Sequence, residues 1–298
     1  MLEKVEILMI EMIGTLNDDY IIELFHKIPK GKRLRAKLVL KIAGDSEEAY
    51  RLAAIIELIH AASLLHDDVI DDALIRRGED SINALFGNKT SIMLGDILYS
   101  TGYAFLTSFP QNISYKISNA VALLSIGELL DVELSKKFND NESIYMDMIY
   151  KKTASLIEAA SVSAAMLCGK DIKIYETYGK NLGLAFQIID DVLDITQDSA
   201  KLGKPSMHDL KEGKTTLPYM HMYKKLNIDD KTKLLGLFKK DLDESGRIWI
   251  KNHMGETLSL DYSINMAKKL GLEALSVISV ENNNSLSKII KEMIEREF

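Results

Sequence analysis

Cysteine is nearly absent: Cys168 is the only one in 298 residues. That excludes a disulfide framework and a cysteine-rich metal site, and the Ala/Ser/Met-rich surroundings predict a small buried thiol. Proline is scarce too, and Pro29, Pro110, Pro205 and Pro218 all fall where helices would break or begin. No long apolar run exists. The longest mostly apolar stretch, 52–65, contains Glu57 and His60 and is shorter than the ~20 residues a membrane-spanning helix needs. The amino terminus lacks a basic segment followed by an apolar one, so the reading is a cytoplasmic protein without a secretion signal. With a formal net charge of −7 and a pI near 5.5, there is no basic field to attract nucleic acid.

What is present is helical periodicity. Apolar residues recur at helical spacing through 2–16, 18–28, 34–43, 47–71, 89–108, 112–135, 143–168 and 172–196, and again through 217–225, 229–240, 258–279 and 284–297. Gly246 and Asn282-Asn283-Asn284 mark expected breaks. The strand-type alternation is missing, so the fold class is all-α. Segments 47–71 and 181–195 are apolar nearly all round, which predicts central helices. Between 197 and 216 the pattern stops, and two glycines, a proline and four lysines predict a loop.

Both central helices end in acidic residues. His66-Asp67-Asp68-Val69-Ile70-Asp71 and Asp190-Asp191-Val192-Leu193-Asp194 each contain D-D-x-x-D, which puts the first and last aspartates on one helix face. The candidate metal residues are therefore Asp67, Asp68, Asp71, Asp190, Asp191 and Asp194. Magnesium takes oxygen ligands and is commonly held by one or two carboxylates plus phosphate oxygens. Basic residues accompany the aspartates: Arg76-Arg77-Gly78 after the first motif, Lys152-Thr153 at an apolar helix, and Lys204 and Lys214 in the loop. Arginine grips phosphate bidentately and lysine acts as a point charge. A further group, Gly31-Lys32-Arg33-Leu34-Arg35, opens a helix and offers a metal-free anion site. His60 lies two turns before Asp67 on the same face.

Taken in order, five blocks resemble the trans-isoprenyl (polyprenyl) diphosphate synthase family, of the long-chain hexaprenyl/octaprenyl type. They are G-K-R-x-R at 31–35, H-x₅-H-D-D-x-x-D at 60–71 with R-R-G at 76–78, K-T at 152–153, F-Q-x-x-D-D-x-x-D at 186–194, and G-K-P…D-L-x-x-G-K-x-T-L-P at 203–218. Ala36 departs from the proline common in relatives, a change a helix start tolerates. The resemblance implies one all-α synthase domain over 1–298, an isoprenoid-synthase-type bundle around a deep cavity, forming a homodimer. It implies isopentenyl diphosphate and an allylic diphosphate as substrates, with about three Mg²⁺ ions per substrate-loaded site. By motif position, Asp67, Asp71 and Asp190 ligate metal, supported by Asp68 and Asp194. Arg76, Lys152 and Lys204 contact the allylic diphosphate. Lys32, Arg35, His60 and Arg77 match the isopentenyl diphosphate site, and Thr153 and Gln187 face the allylic cation.

The product's tail is expected to run from the first acidic motif toward the start of helix 47–71, past Ala62 and Ser63. Two small residues there leave room for growth. With a rise of ~5.4 Å per turn, comparable to one isoprene unit, the expected product is about C30–C40, suited to a quinone side chain. So apolar a product implies transient membrane contact on release. Three other readings are weaker: a short-chain synthase or class I terpene cyclase, a metal phosphohydrolase, and a non-catalytic subunit of a heteromeric synthase. A cyclase needs no second diphosphate site, a phosphohydrolase would show further histidines, and regulatory subunits lack intact aspartate motifs.

Overall fold

The computed structural model describes residues 1–197 and 207–294. Helices dominate, in the order α1 (Leu2–Gly14), α2 (Asp19–His26), α3 (Leu34–Ala43), α4 (Glu47–Ile70), α5 (Ile82–Phe86), α6 (Asn88–Leu106), α7 (Gln111–Leu134), α8 (Glu142–Ile149), α9 (Ser155–Leu167) and α10 (Ile172–Thr196). After these come α11 (His208–Glu212), α12 (Leu217–Lys225), α13 (Ile228–Leu237), α14 (Glu244–Glu256), α15 (Ser259–Ile278) and α16 (Asn284–Ile294). The one sheet among the described residues is a two-stranded antiparallel ladder, β1 (Ile75–Arg76) with β2 (Glu79–Asp80). The all-α expectation holds.

Two compact units divide the chain. The first comprises residues 1–122 and 156–179, and the second residues 123–155 and 180–298. In the first unit α4 is the central rod. Ser46 caps its start by accepting the Ala49 N–H at 3.1 Å, with Glu47 and Glu48 in the first turn where the helix dipole favours anions. Leu52, Ile55, Ile56, Leu58 and Ile59 are fully buried along it. Helix α6 approaches α4 closely because Gly95 lies against the His66 ring and Gly102 against Ile59.

In the second unit, Ile195, Met207, Leu210, Tyr219, Met222, Ile250 and Met254 form a buried apolar cluster on α10 to α14, with Phe138, Tyr223 and Trp249 packed at its border. Pro218 stands in the first turn of α12, where its missing N–H costs nothing.

Four local expectations need correction. Gly246 does not break a helix; it is in the first turn of α14, and its N–H is taken by the Asp243 cap at 2.7 Å. The stretch 207–216 is not all loop, since it contains α11. Segment 143–168 is not one regular helix, because a π-helical turn, Tyr150–Ala154, joins α8 to α9. Cys168 is exposed rather than buried, because α9 stops at Leu167 and Gly169 turns the chain with φ of +69°.

Candidate active site

The first acidic motif occupies the last turn and C-cap of α4. This is the unfavourable end of the helix dipole for carboxylates, so clustered aspartates there favour a cation. They differ in surroundings. Asp68 is 3% exposed and is clamped by Arg76 through Nε at 2.6 Å and Nη2 at 2.5 Å. Burial raises the Asp68 pKa from its ordinary value while Arg76 opposes that rise. Asp67 and Asp71 are partly exposed on the adjoining face.

Arg76 and Arg77 belong to the β1–β2 hairpin. Its two central residues, Arg77 and Gly78, have φ of +56° and +80°, the backbone that a type I′ hairpin loop demands. The R-R-G motif is thus a tight turn, with the left-handed backbone of Arg77 costing ~1–2 kcal/mol. The Arg77 guanidinium donates to the Pro29 carbonyl at 2.8 Å and lies so near Gly31 that a Cβ there would come within 2.7 Å of it. Gly31 is therefore part of the Arg77 seat.

Arg35, His60 and Glu57 share this neighbourhood. Glu57 is buried and accepts the Ala36 N–H at 2.9 Å and Arg33 Nη1 at 3.4 Å. The Arg35 Nε is shut off from solvent without a hydrogen-bond partner among the described residues. Burial pushes its pKa down to about 10, with Glu57 opposing and Arg77 reinforcing the fall. Burial, then the charges of Arg35, Arg77, Arg76 and Arg33, hold His60 well below 6.5, so its imidazole is neutral at physiological pH. A neutral histidine among arginines, one of them short of a partner, makes a ready anion site. Lys32 is exposed at its edge.

The second unit carries the remaining candidate residues. Lys152 and Thr153 sit in the π-turn, a helix irregularity frequent at functional sites. Two glycines make room for it: a Cβ on Gly127 of α7 would come within 2.3 Å of the Lys152 backbone nitrogen, and one on Gly183 of α10 within 2.5 Å of the Ala154 Cα. Lys152 Nζ contacts Asp131 at 2.5 Å and Glu128 at 2.9 Å, both buried on α7. Thr153 Oγ1 donates to Gln187 Oε1 at 2.7 Å. Gln187 Nε2 donates to Asp191 Oδ1 at 2.8 Å, and Tyr145 donates to Asp191 Oδ2 at 2.5 Å.

The aspartates of α10 also divide. Asp190 is partly exposed, whereas Asp191 and Asp194 are buried. Burial and then the charge of Asp209 hold the Asp191 carboxyl well above its usual range, opposed by the two donors. Asp194 Oδ2 accepts the Asp209 N–H at 3.2 Å. Lys214 is held by Glu212 at 2.8 Å, and Glu212 by His208 at the same distance. Burial raises the Glu212 pKa, but His208 and Lys214 outweigh it and bring the carboxyl to about 2. Lys204 lies outside the described residues. Ala62 and Ser63 are buried in α4, and the Ser63 hydroxyl donates to the His60 carbonyl at 2.9 Å. Tyr99 of α6 stands in a ring ladder between His66 and Tyr103.

Sequence reasoning missed Glu128, Asp131, Tyr145, Gly127 and Gly183. The Glu128-Leu129-Leu130-Asp131 spacing on an amphipathic helix, next to Lys151-Lys152, was the only available signal.

The metal expectation fits the donor set. Both motifs are all-oxygen and end helices where cations are favoured. Among the described residues no three His, Cys, Asp or Glu groups close on one metal-sized point.

Helical units that carry D-D-x-x-D helix ends and local arginine and lysine groups define an α-helical enzyme of metal-assisted diphosphate chemistry. The polyprenyl synthetase family model matches residues 19–252, and the chain belongs to that family of prenyltransferases. It is 38% identical over 219 residues to the short chain isoprenyl diphosphate synthase of Methanothermobacter thermautotrophicus, covering 70% of this chain and 67% of that protein. Over 199 residues it is 41% identical to the octaprenyl diphosphate synthase of Escherichia coli, 64% of this chain and 62% of the relative. The crystal structure of octaprenyl pyrophosphate synthase from Helicobacter pylori superposes with a TM-score of 0.95 at 42% identity, covering 99% of this chain and 98% of that one. No helix among the described residues is long and apolar enough to cross a membrane.

Proposed function

We propose that this prenyltransferase condenses isopentenyl diphosphate onto an allylic diphosphate, farnesyl or geranylgeranyl, and repeats the step to an all-trans product of about C30–C40, one unit per ~5.4 Å turn of open channel. The observation that carries the reading is the Lys152-Thr153 π-turn bonded to Gln187, one turn before the second acidic motif. A lysine suited to a leaving diphosphate beside neutral oxygens suited to a carbocation supports it. Similarity to octaprenyl synthases supports the long product.

Asp67, Asp71 and Asp190 are assigned as the Mg²⁺ ligands, with Asp68, Asp191 and Asp194 holding the motifs in shape. Bound Mg²⁺, about three ions, would neutralise the negative charge that develops on the departing diphosphate. Arg76, Lys152, Lys214 and Lys204 bind the allylic diphosphate. Lys32, Arg35, His60 and Arg77 bind the isopentenyl diphosphate without metal. The Thr153 and Gln187 oxygens face the allylic cation, which the double bond of the second substrate attacks before proton loss to the released diphosphate. Fixing both substrates removes much of the entropic barrier. A homodimer is supported by an apolar cleft in the second unit, where Ile126, Leu129 and Ile144 are exposed between Glu133, Asp147 and Lys151.

The test is incubation of the purified chain with Mg²⁺, isopentenyl diphosphate and a C15 allylic diphosphate, with mass spectrometry of the lipids. Long all-trans diphosphates are expected. A cyclised hydrocarbon, free phosphate alone, or a need for a second polypeptide would each contradict the reading. Products stopping at C15–C20 would contradict the chain length only.

A further inference from the structure

While Asp191 is ionised, the hydrogen bonds around it have a single direction. A carboxylate can only accept, so the phenolic hydrogen of Tyr145 is the one directed at Asp191 Oδ2. From the other side Gln187 Nε2 donates to Asp191 Oδ1. Once its NH₂ is committed to the carboxylate, the Gln187 amide has only its carbonyl oxygen to offer Thr153. Thr153 must therefore donate its hydrogen at 2.7 Å. Its remaining lone pairs are what the hydroxyl can present to a ligand.

We infer that Tyr145 and Asp191 are positioning residues that set the polarity of the Thr153 hydroxyl through Gln187, so that the threonine meets the allylic cation as an acceptor and never as a donor. The inference rests on the functional reading above. A hydroxyl rotated the other way would place a positive hydrogen toward a positive carbon, raising the barrier to ionisation. The parts suit a fixed device. Tyr145 is 1% and Asp191 4% exposed, both in the second unit, so that end of the chain is shielded from water, while Thr153 and Gln187 are partly exposed where a ligand can reach them. The π-turn places Thr153 there without a Cβ-sized gap on either side, because Gly127 and Gly183 back it. Neither Tyr145 nor Asp191 has to touch substrate.

The sense of the chain can be reversed by substitution. In Asp191→Asn, Tyr145 still donates to the side-chain oxygen, but the new NH₂ faces Gln187. The glutamine amide must then turn its oxygen toward residue 191 and its NH₂ toward Thr153, which consumes a threonine lone pair. Adding Gln187→Glu restores the sense, since a carboxylate at 187 accepts from both Asn and Thr153.

The experiment measures turnover of wild type, Tyr145→Phe, Asp191→Asn and Asp191→Asn/Gln187→Glu with an allylic diphosphate and with its fluorinated analogue, whose cation is less stable. The ratio of the two rates is independent of how much protein is folded, so partial misfolding does not imitate the effect. Tyr145→Phe and Asp191→Asn should lower kcat and raise that ratio, each roughly tenfold, less than the hundredfold or more from deleting a direct transition-state contact. KM for both diphosphates should stay near wild type. The double variant should recover most of the ratio. An unchanged ratio in Tyr145→Phe, or a double variant no better than Asp191→Asn, would overturn the inference. So would a raised Mg²⁺ requirement in Asp191→Asn, which would mark the residue as a metal ligand. A wild type that incorporates no isopentenyl diphosphate defeats the functional reading and this inference together, whereas active wild type with insensitive variants defeats the inference alone.

Discussion

Arg35 shows how a single side chain can be kept against its own stability. Its Nε has no partner among the described residues and Arg77 adds a like charge, so the folded state carries an unrelieved cost that a bound anion would remove. Arg35→Met is expected to melt at or above the wild-type temperature while KM for isopentenyl diphosphate rises roughly tenfold or more, the worth of a charge-assisted bond. Thermal melts and steady-state kinetics on the same preparation check both halves. His60 makes a pH prediction. Its folded pKa lies well below 6.5, so the unfolded chain binds its proton first as pH falls, and stability drops below about pH 6.5. Urea unfolding at two pH values should show a smaller loss in His60→Gln. At this scale the aspartates, Arg35 and His60 were legible, because acidic and basic residues inside apolar periodicity need a counter-charge. Glu128 and Asp131 were not, since on α7 they look like ordinary acidic helix positions until Lys152 is seen against them.

Among the elements, the π-turn and the Arg77-Gly78 hairpin do what no periodicity announces. A π-turn differs from an α-turn by one residue of hydrogen-bond register, which leaves the apolar pattern of 143–168 nearly unchanged, and a two-residue ladder is too short to alternate. The glycines beside the π-turn are equally silent in sequence, since a helical glycine reads only as a weak helix former. Gly127→Ala tests their role. With backbone atoms, not a flexible side-chain end, in the way, the helices must separate, at a cost of about 1–3 kcal/mol. A melting temperature lower by several degrees is expected, with a larger fractional loss of kcat than of substrate affinity. A Gly236→Ala control, where nothing lies within 4 Å, should leave both unchanged. Most regular helices needed no such help: α3 and α12 fall where their patterns place them, and Asp18, Ser46, Asn141 and Asn227 cap their neighbours as expected of those residue types, whereas α5 and the Asp243-capped α14 lie outside the segments that the periodicity marked.

For the molecule as a whole, the two aspartate motifs belong to different compact units, and the proposed chemistry requires them to serve one diphosphate. Fold class and family were readable from the five ordered blocks because each is fixed by phosphate and metal chemistry. The partition into units was not, since α7 and α10 run through both with uninterrupted helical pattern. The most direct measurement is isopentenyl incorporation by Asp67→Ala, Asp190→Ala and the double variant under saturating Mg²⁺. If the motifs share one leaving group, each single variant should lose roughly a thousandfold or more and the double variant little beyond that, as groups acting as a unit do. Losses that multiply, or near-normal turnover in either single variant, would contradict it.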